Sequence, residues 1–323
     1  MSLPPPPLFS EVPLAGKYDG IEARIKIIQQ SWKSDSLRCS GEFFYLTFRD
    51  SVPTTEDFVN YIYWRIVAFC IPRKEREECK RKYTETGDEK YILQITDKAK
   101  NLFVRALKAR GKTGEPAELI LFILLEAFLK APQVACKMYL KTNKNVPVHG
   151  SDGIHLSFDK EAGRLILFWG ESKLYKSPSD ALDEILSSIK GFITPTNGSA
   201  PRERDIDILV DHSNIDNEEQ RKAILEFFDP YSKSSNLRLE VFACLAVFDY
   251  SFLSECQKMA HDEVEAKFLQ EYKIRISTAC KLFEKKIKES SLTDLNFKLL
   301  LLPLASVEEL REKFLNKLGV DRV

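Results

Sequence analysis

The sequence predicts an α/β fold, with strands alternating with helices through residues 111–323 behind a smaller α+β lobe at 18–110. Three observations carry this. The run 164–171 is short and apolar on both alternate sets of positions, as expected of a strand covered on both faces of a sheet. Residues 115–130 read as a buried helix: Pro116 suits a first-turn position, and Glu115 and Glu118 favour the positive end of the helix dipole. Beyond them come a helix at about 178–191, a strand within 237–248, an amphipathic helix at about 261–289, a late strand at 296–302 and a terminal helix at 306–318. The last is opened by Ser306 with Glu308 and Glu309. No internal repeat is evident.

The remaining elements follow in chain order. Residues 1–17 form a Pro-rich arm beginning Met1-Ser-Leu-Pro-Pro-Pro-Pro-Leu8. The lobe at 18–110 opens with a strand around 41–48 and a helix from about Thr55, capped by Thr54 or Thr55 and interrupted at Pro72. In the charged stretch 73–82, Arg73, Lys74, Arg76, Lys80, Arg81 and Lys82 offer phosphate contacts, but Glu75, Glu77 and Glu78 dilute them, and a solvated helix face is the simpler reading. A helix at about 95–109 leads through Gly111-Lys-Thr-Gly114, which lacks the full phosphate-loop pattern, so the chain is not its own ATPase. Strands are expected at 134–142 and 154–158. In 194–217, Asp205, Asp207, Asp211 and His212 suggest a second ligand cluster around the apolar 206–210, although strand-edge and turn acids explain them more simply.

The chemistry concentrates at the end of the buried run, where Glu171-Ser-Lys173 follows Trp169-Gly170. Side chains two apart on a strand project from the same face, so Glu171 and Lys173 point together, and ionisable groups there are costly unless they pair or bind something. Glu-x-Lys alone is a weak signal, since it recurs at Glu78, Glu265, Glu271 and Glu284 in charged stretches without strand character. Asp152, in the turn Gly150-Ser-Asp-Gly153, supplies a second acid, and Glu118 heads an otherwise apolar stripe that includes 122, 125 and 129. Glu126 lies about 80° round that helix and reads as a structural acid facing a nearby base. Two carboxylates about 4 Å apart repel by about 4 kcal/mol at an effective dielectric of 20. A hard divalent cation turns that repulsion into binding, and all-oxygen ligation points to Mg²⁺ or Mn²⁺. Asp152 and Glu171 would hold the ion, Glu118 would contribute directly or through water, and Lys173 would orient the attacking water or offset charge at phosphorus. His149 and His155 flank Asp152 and either touch phosphate or are simply hydrogen-bonded; no nucleophile–histidine pair stands out.

With those residues in place, the chain resembles the PD-(D/E)xK phosphodiesterases of restriction enzymes and Holliday-junction resolvases. That resemblance implies a restriction-endonuclease-like core, a mixed sheet flanked by helices, with acids from the first helix and the second and third strands. Ser151 stands where the motif has its proline. More narrowly, Gly-Glu-x-x-Glu118 before an apolar helix, His149-Gly-Ser-Asp-Gly-Ile154 and Trp169-Gly-Glu-Ser-Lys-Leu-Tyr175 look like the HamA nuclease family of the Hachiman anti-phage system, most strongly over 112–192. The resemblance implies a cognate helicase as partner, and carries the site onto Glu118, Asp152, Glu171 and Lys173, with Glu115 as the alternative helix acid.

Bulk properties bound this reading. At 323 residues with 44% hydrophobic and 11% aromatic content, the chain can bury a large core. Lys plus Arg and Asp plus Glu are 48 each; a sequence-independent DNA binder is usually basic, so DNA contact is local or a partner delivers the substrate. Seven widely spaced cysteines without Cys-x-x-Cys argue against zinc ribbons and a disulfide framework. With neither a signal peptide nor a long charge-free apolar run, a cytoplasmic, non-membrane protein is expected. The rival readings are a non-catalytic DNA-binding or scaffold subunit that keeps the nuclease fold, and a structural ion pair in an unrelated α/β protein.

Overall fold

The computed structural model describes residues 12–110, 115–140, 150–196 and 198–320. His149, Gly111–Gly114 and most of the Pro-rich arm lie outside them. Four parallel strands form the centre of one eight-stranded sheet: β3 (Cys39–Leu46), β8 (Arg164–Tyr175), β9 (Arg238–Asp249) and β10 (Phe297–Leu304), in the spatial order β3-β10-β9-β8. Antiparallel strands extend both sides. β1 (Ile25–Ile27) and β2 (Trp32–Lys33) pair with β3, β7 (Gly153–Asp159) pairs with β8, and β6 (Gln133–Ala135) pairs with β7. A separate ribbon joins β4 (Phe48–Arg49) to β5 (Val52–Pro53).

Helices cover both faces, which is why the central strands read as continuous apolar runs. On one face lie α1 (Thr55–Tyr63), α2 (Ile66–Cys70), α4 (Lys90–Arg110), α5 (Glu115–Ala127) and α12 (Val307–Leu318), packed on Ala243, Leu245, Leu300 and Leu302. The other face is covered by α7 (Pro178–Ile193), α8 (Pro201–Asp211), α9 (Glu218–Leu225), α10 (Phe252–Cys256) and α11 (Val264–Glu289), packed on Trp169, Phe242, Cys244, Leu299 and Leu301. The charged α3 (Arg73–Thr86) and the single turn α6 (Lys137–Leu140) complete the helices. Pro303 is tolerated in β10 because the pairing with β3 ends at Leu301, so no ladder bond to that neighbour is lost. Ser306 accepts a hydrogen bond from the Glu309 N–H, the cap expected for α12. The segment 18–110 contributes β1–β3 to this sheet, and its helices share a core with α5 and α12.

Three expected elements differ. The strand at 134–142 stops at Ala135, where the register with β7 shifts, and the chain turns into α6 so that Lys137 reaches a buried acid. The segment around 206–210 is the middle of α8 rather than a strand edge: Pro201 occupies the first turn and the Glu203 carboxylate accepts from the Ala200 N–H. Helix α4 begins at Lys90, five residues early, where Asp88 accepts from the Lys90 N–H. Among the described residues no helix is long and apolar enough to cross a membrane. All seven cysteines are free thiols, and only Cys79 is not buried.

Candidate active site

The β7–β8 hairpin builds the site. Gly163, at φ 62°, and Asp159, whose carboxylate accepts from the Glu161 and Ala162 N–H groups, close its turn. At the other end the register sets Gly153 opposite Gly170. A Cβ on Gly170 would lie 2.9 Å from Leu121 Cδ2 of α5 and 3.2 Å from the Gly153 nitrogen, so the close approach of the two strands requires glycine. That approach brings Asp152 over β8. The Asp152 N–H donates to the Gly170 carbonyl at 2.7 Å, and Asp152 Oδ2 accepts from Ser172 N at 2.8 Å and Ser172 Oγ at 2.9 Å.

Strand alternation divides β8 between the two faces. Phe168 and Leu174 belong to the core under α5, whereas Trp169 packs edge-on against Phe192 of α7 at 5.2 Å. Glu171 and Lys173 therefore share the α7 face, and Lys173 Nζ donates to Glu171 Oε1. Glu171 is 7% exposed. Burial pushes its carboxyl up to about 8, the Asp152 charge adds to this, and Lys173 and the Ser188 hydroxyl of α7 only partly oppose it. Burial alone would lower Lys173, but the charges of Glu171, Asp152 and Glu118 outweigh it and raise its pKa. One lysine thus answers several acids. Glu118, buried at the start of α5, lies within the field of Lys173; the Glu115 side chain falls outside the described residues. Among the described residues no three His, Cys, Asp or Glu side chains form a group able to hold a metal ion by themselves.

Other expected candidates resolve into structural roles. His155 is fully buried on β7; its Nδ1–H donates to the Ala131 carbonyl at 2.8 Å, and burial lowers its pKa to about 4, so it is a neutral core histidine. Glu126 is also buried, and the Arg76 guanidinium lies within its field, but its hydrogen bonds come from other groups. It accepts from the Ala15, Gly16 and Gln133 N–H groups and the Tyr18 hydroxyl, which tie the start of the described chain to α5. In the charged α3, Lys80 and Arg81 pair with Glu77, Glu78 and Glu85, and Arg76 is buried against the Ile71 and Ala15 carbonyls. Of the cluster in 194–217, Asp205 is 1% exposed and paired with Lys137. Asp205 stands out in the sequence as a candidate ligand rather than as the partner of Lys137, and sequence reasoning missed Ser172, Ser188 and Lys137. Only Ser172 carried a signal, through its place between Glu171 and Lys173.

No curated protein matches the chain. The family model described as HamA matches residues 23–318, which spans every element from β1 to α12, and the chain belongs to the HamA family.

Proposed function

We propose that this chain is a metal-dependent DNA endonuclease with a PD-(D/E)xK core, acting as the effector subunit of an anti-phage defence complex with a helicase. Membership of HamA implies the Hachiman defence role. The observation that supports the chemistry is the convergence of Asp152, in the turn before β7, with Glu171 and Lys173 of β8. A buried acid, raised by its own burial and by a second acid, is the arrangement a cation relieves. Mg²⁺ fits a site with two protein carboxylates, because it keeps several waters and shares substrate phosphate oxygens rather than needing an all-protein cage.

Asp152 and Glu171 would hold Mg²⁺ or Mn²⁺, with Glu118 reaching it through water. A bound ion supplies Lewis-acid polarisation of the phosphodiester and a water of lowered pKa. The protein's own groups do the rest. Ser172 fixes one Asp152 oxygen and leaves the other to face the substrate. Lys173, kept charged by the acids around it, orients the water and offsets the growing negative charge as the water oxygen bonds to phosphorus and the bond to the leaving sugar oxygen breaks. Balanced net charge fits delivery of DNA by a partner.

The rival, a non-catalytic subunit with a nuclease fold, draws on the absence of a three-acid group among the described residues. Calorimetric titration with Mn²⁺ separates the two. The nuclease reading expects binding that Asp152→Asn and Glu171→Gln each abolish; the scaffold reading expects none in any variant.

A further inference from the structure

The turn that carries Asp152 is held from behind by a buried ion pair. Lys137 of α6 and Asp205 of α8 are 2% and 1% exposed, and Lys137 Nζ lies 2.9 and 3.2 Å from the two Asp205 oxygens. Every polar backbone and side-chain group of Ser151 is taken up by this pair. Its N–H donates to Asp205 Oδ2 at 3.0 Å, its hydroxyl donates to the same oxygen at 2.7 Å, and its carbonyl accepts from Lys137 Nζ. Gly150 is fitted against the same carboxylate, since a Cβ there would fall 2.4 Å from Asp205 Oδ1. The next residue is Asp152, which β8 holds from the other side through the Gly170 carbonyl and Ser172.

Two charges taken wholly out of water gain little net stability from each other, and apolar residues of similar volume often replace such a pair without loss. What this pair does is fix one turn. We infer that Lys137 and Asp205 are positioning residues for Asp152, setting the backbone on which the metal-holding carboxylate stands; this rests on the nuclease reading above. Ser151 takes part because it has the N–H and hydroxyl that a proline, the residue of the resembled motif, lacks. Asp205 is 54 residues from Ser151 and 68 from Lys137, so α8 is brought to the 150–153 turn and α6 by the fold.

The deciding variant is the double substitution Lys137→Met with Asp205→Leu, which removes both buried charges; Asp205→Asn by itself removes the buried carboxylate that Lys137 faces and is expected to impair folding. Glu42→Gln with Lys298→Met, which removes a partly buried pair at 2.6 Å between β3 and β10, serves as the control. Hydrogen exchange at the Asp152 amide, Mn²⁺ titration and plasmid cleavage are measured on all three proteins. In the folded double variant the Asp152 amide exchanges at least about tenfold faster and Mn²⁺ binds about 10- to 100-fold more weakly, with KM for DNA unchanged. The control changes neither. Wild-type protection and wild-type Mn²⁺ affinity in the folded double variant would overturn the inference. If the wild type itself binds no metal and cuts nothing, the nuclease reading fails, and unchanged exchange at Asp152 would still refute the clamp.

Discussion

Protonation of His155 should destabilise this protein from the inside. In the unfolded chain the imidazole titrates near 6.5; in the fold it is fully buried, donates to the Ala131 carbonyl, and titrates near 4. A lowered histidine pKa means that the unfolded state takes up the proton first. The stabilisation is complete above about pH 6.5 and is lost as pH falls toward about 4. A separation of about 2.5 units at 1.36 kcal/mol each corresponds to about 3 kcal/mol across that window. The perturbation is His155→Gln, which keeps an N–H for the carbonyl but cannot ionise. Above about pH 7 the variant should be less stable by about 1–2 kcal/mol, because the ring that packs 5.9 Å from Phe122 is gone. Toward pH 4 that gap should close and reverse. Urea unfolding at several pH values, followed by tryptophan fluorescence, measures both curves, and other carboxylates cancel in the difference. A gap that stays constant as pH falls would show an unshifted His155, and one that widens a charged, anion-partnered His155. The widening result would return this residue to the phosphate-binding role that the sequence left open.

Glu171 carries the opposite dependence. Its raised pKa makes the metal-free fold lose stability as pH rises from about 4.5 through about 8, so Glu171→Gln should flatten the profile there. Adding Mg²⁺ should raise the wild-type Tm more at the alkaline end than at the acid end, and a uniform shift would argue against binding at this acid. Gly170→Ala places a methyl group 2.9 Å from Leu121 Cδ2 and should cost about 1–3 kcal/mol in urea unfolding, by forcing β7 and β8 apart. An unchanged stability would mean that the hairpin is looser than these contacts indicate.

The strands β8, β9 and β10 were legible because both of their faces are covered, and α12 because Ser306 and Glu309 form its cap. Pairing was not legible: β3 lies beside β10 across most of the chain, and nothing local in Cys39–Leu46 names its partner. Short apolar runs failed for a different reason. Residues 206–210 satisfy strand and helix periods equally, and only Pro201 and Glu203 upstream decide for α8. At the site, Asp152, Glu171 and Lys173 stood out because each breaks an apolar or turn context. The Lys137–Asp205 pair did not, since its partners are 68 residues apart; Lys137 looks like an ordinary surface charge in sequence, and Asp205 like one acid of a ligand cluster.

The central claim is that Asp152, Glu171 and Lys173 act as one phosphodiesterase site. The most direct measurement is cleavage of supercoiled plasmid with Mg²⁺ or Mn²⁺ by the wild type, Glu171→Ala and Lys173→Ala, alone and with the candidate helicase and ATP. The account expects metal-dependent cutting by the wild type and a loss of about 10²-fold or more in each folded variant. Cleavage that survives both substitutions, or no cleavage by the wild type under any of these conditions, would contradict it.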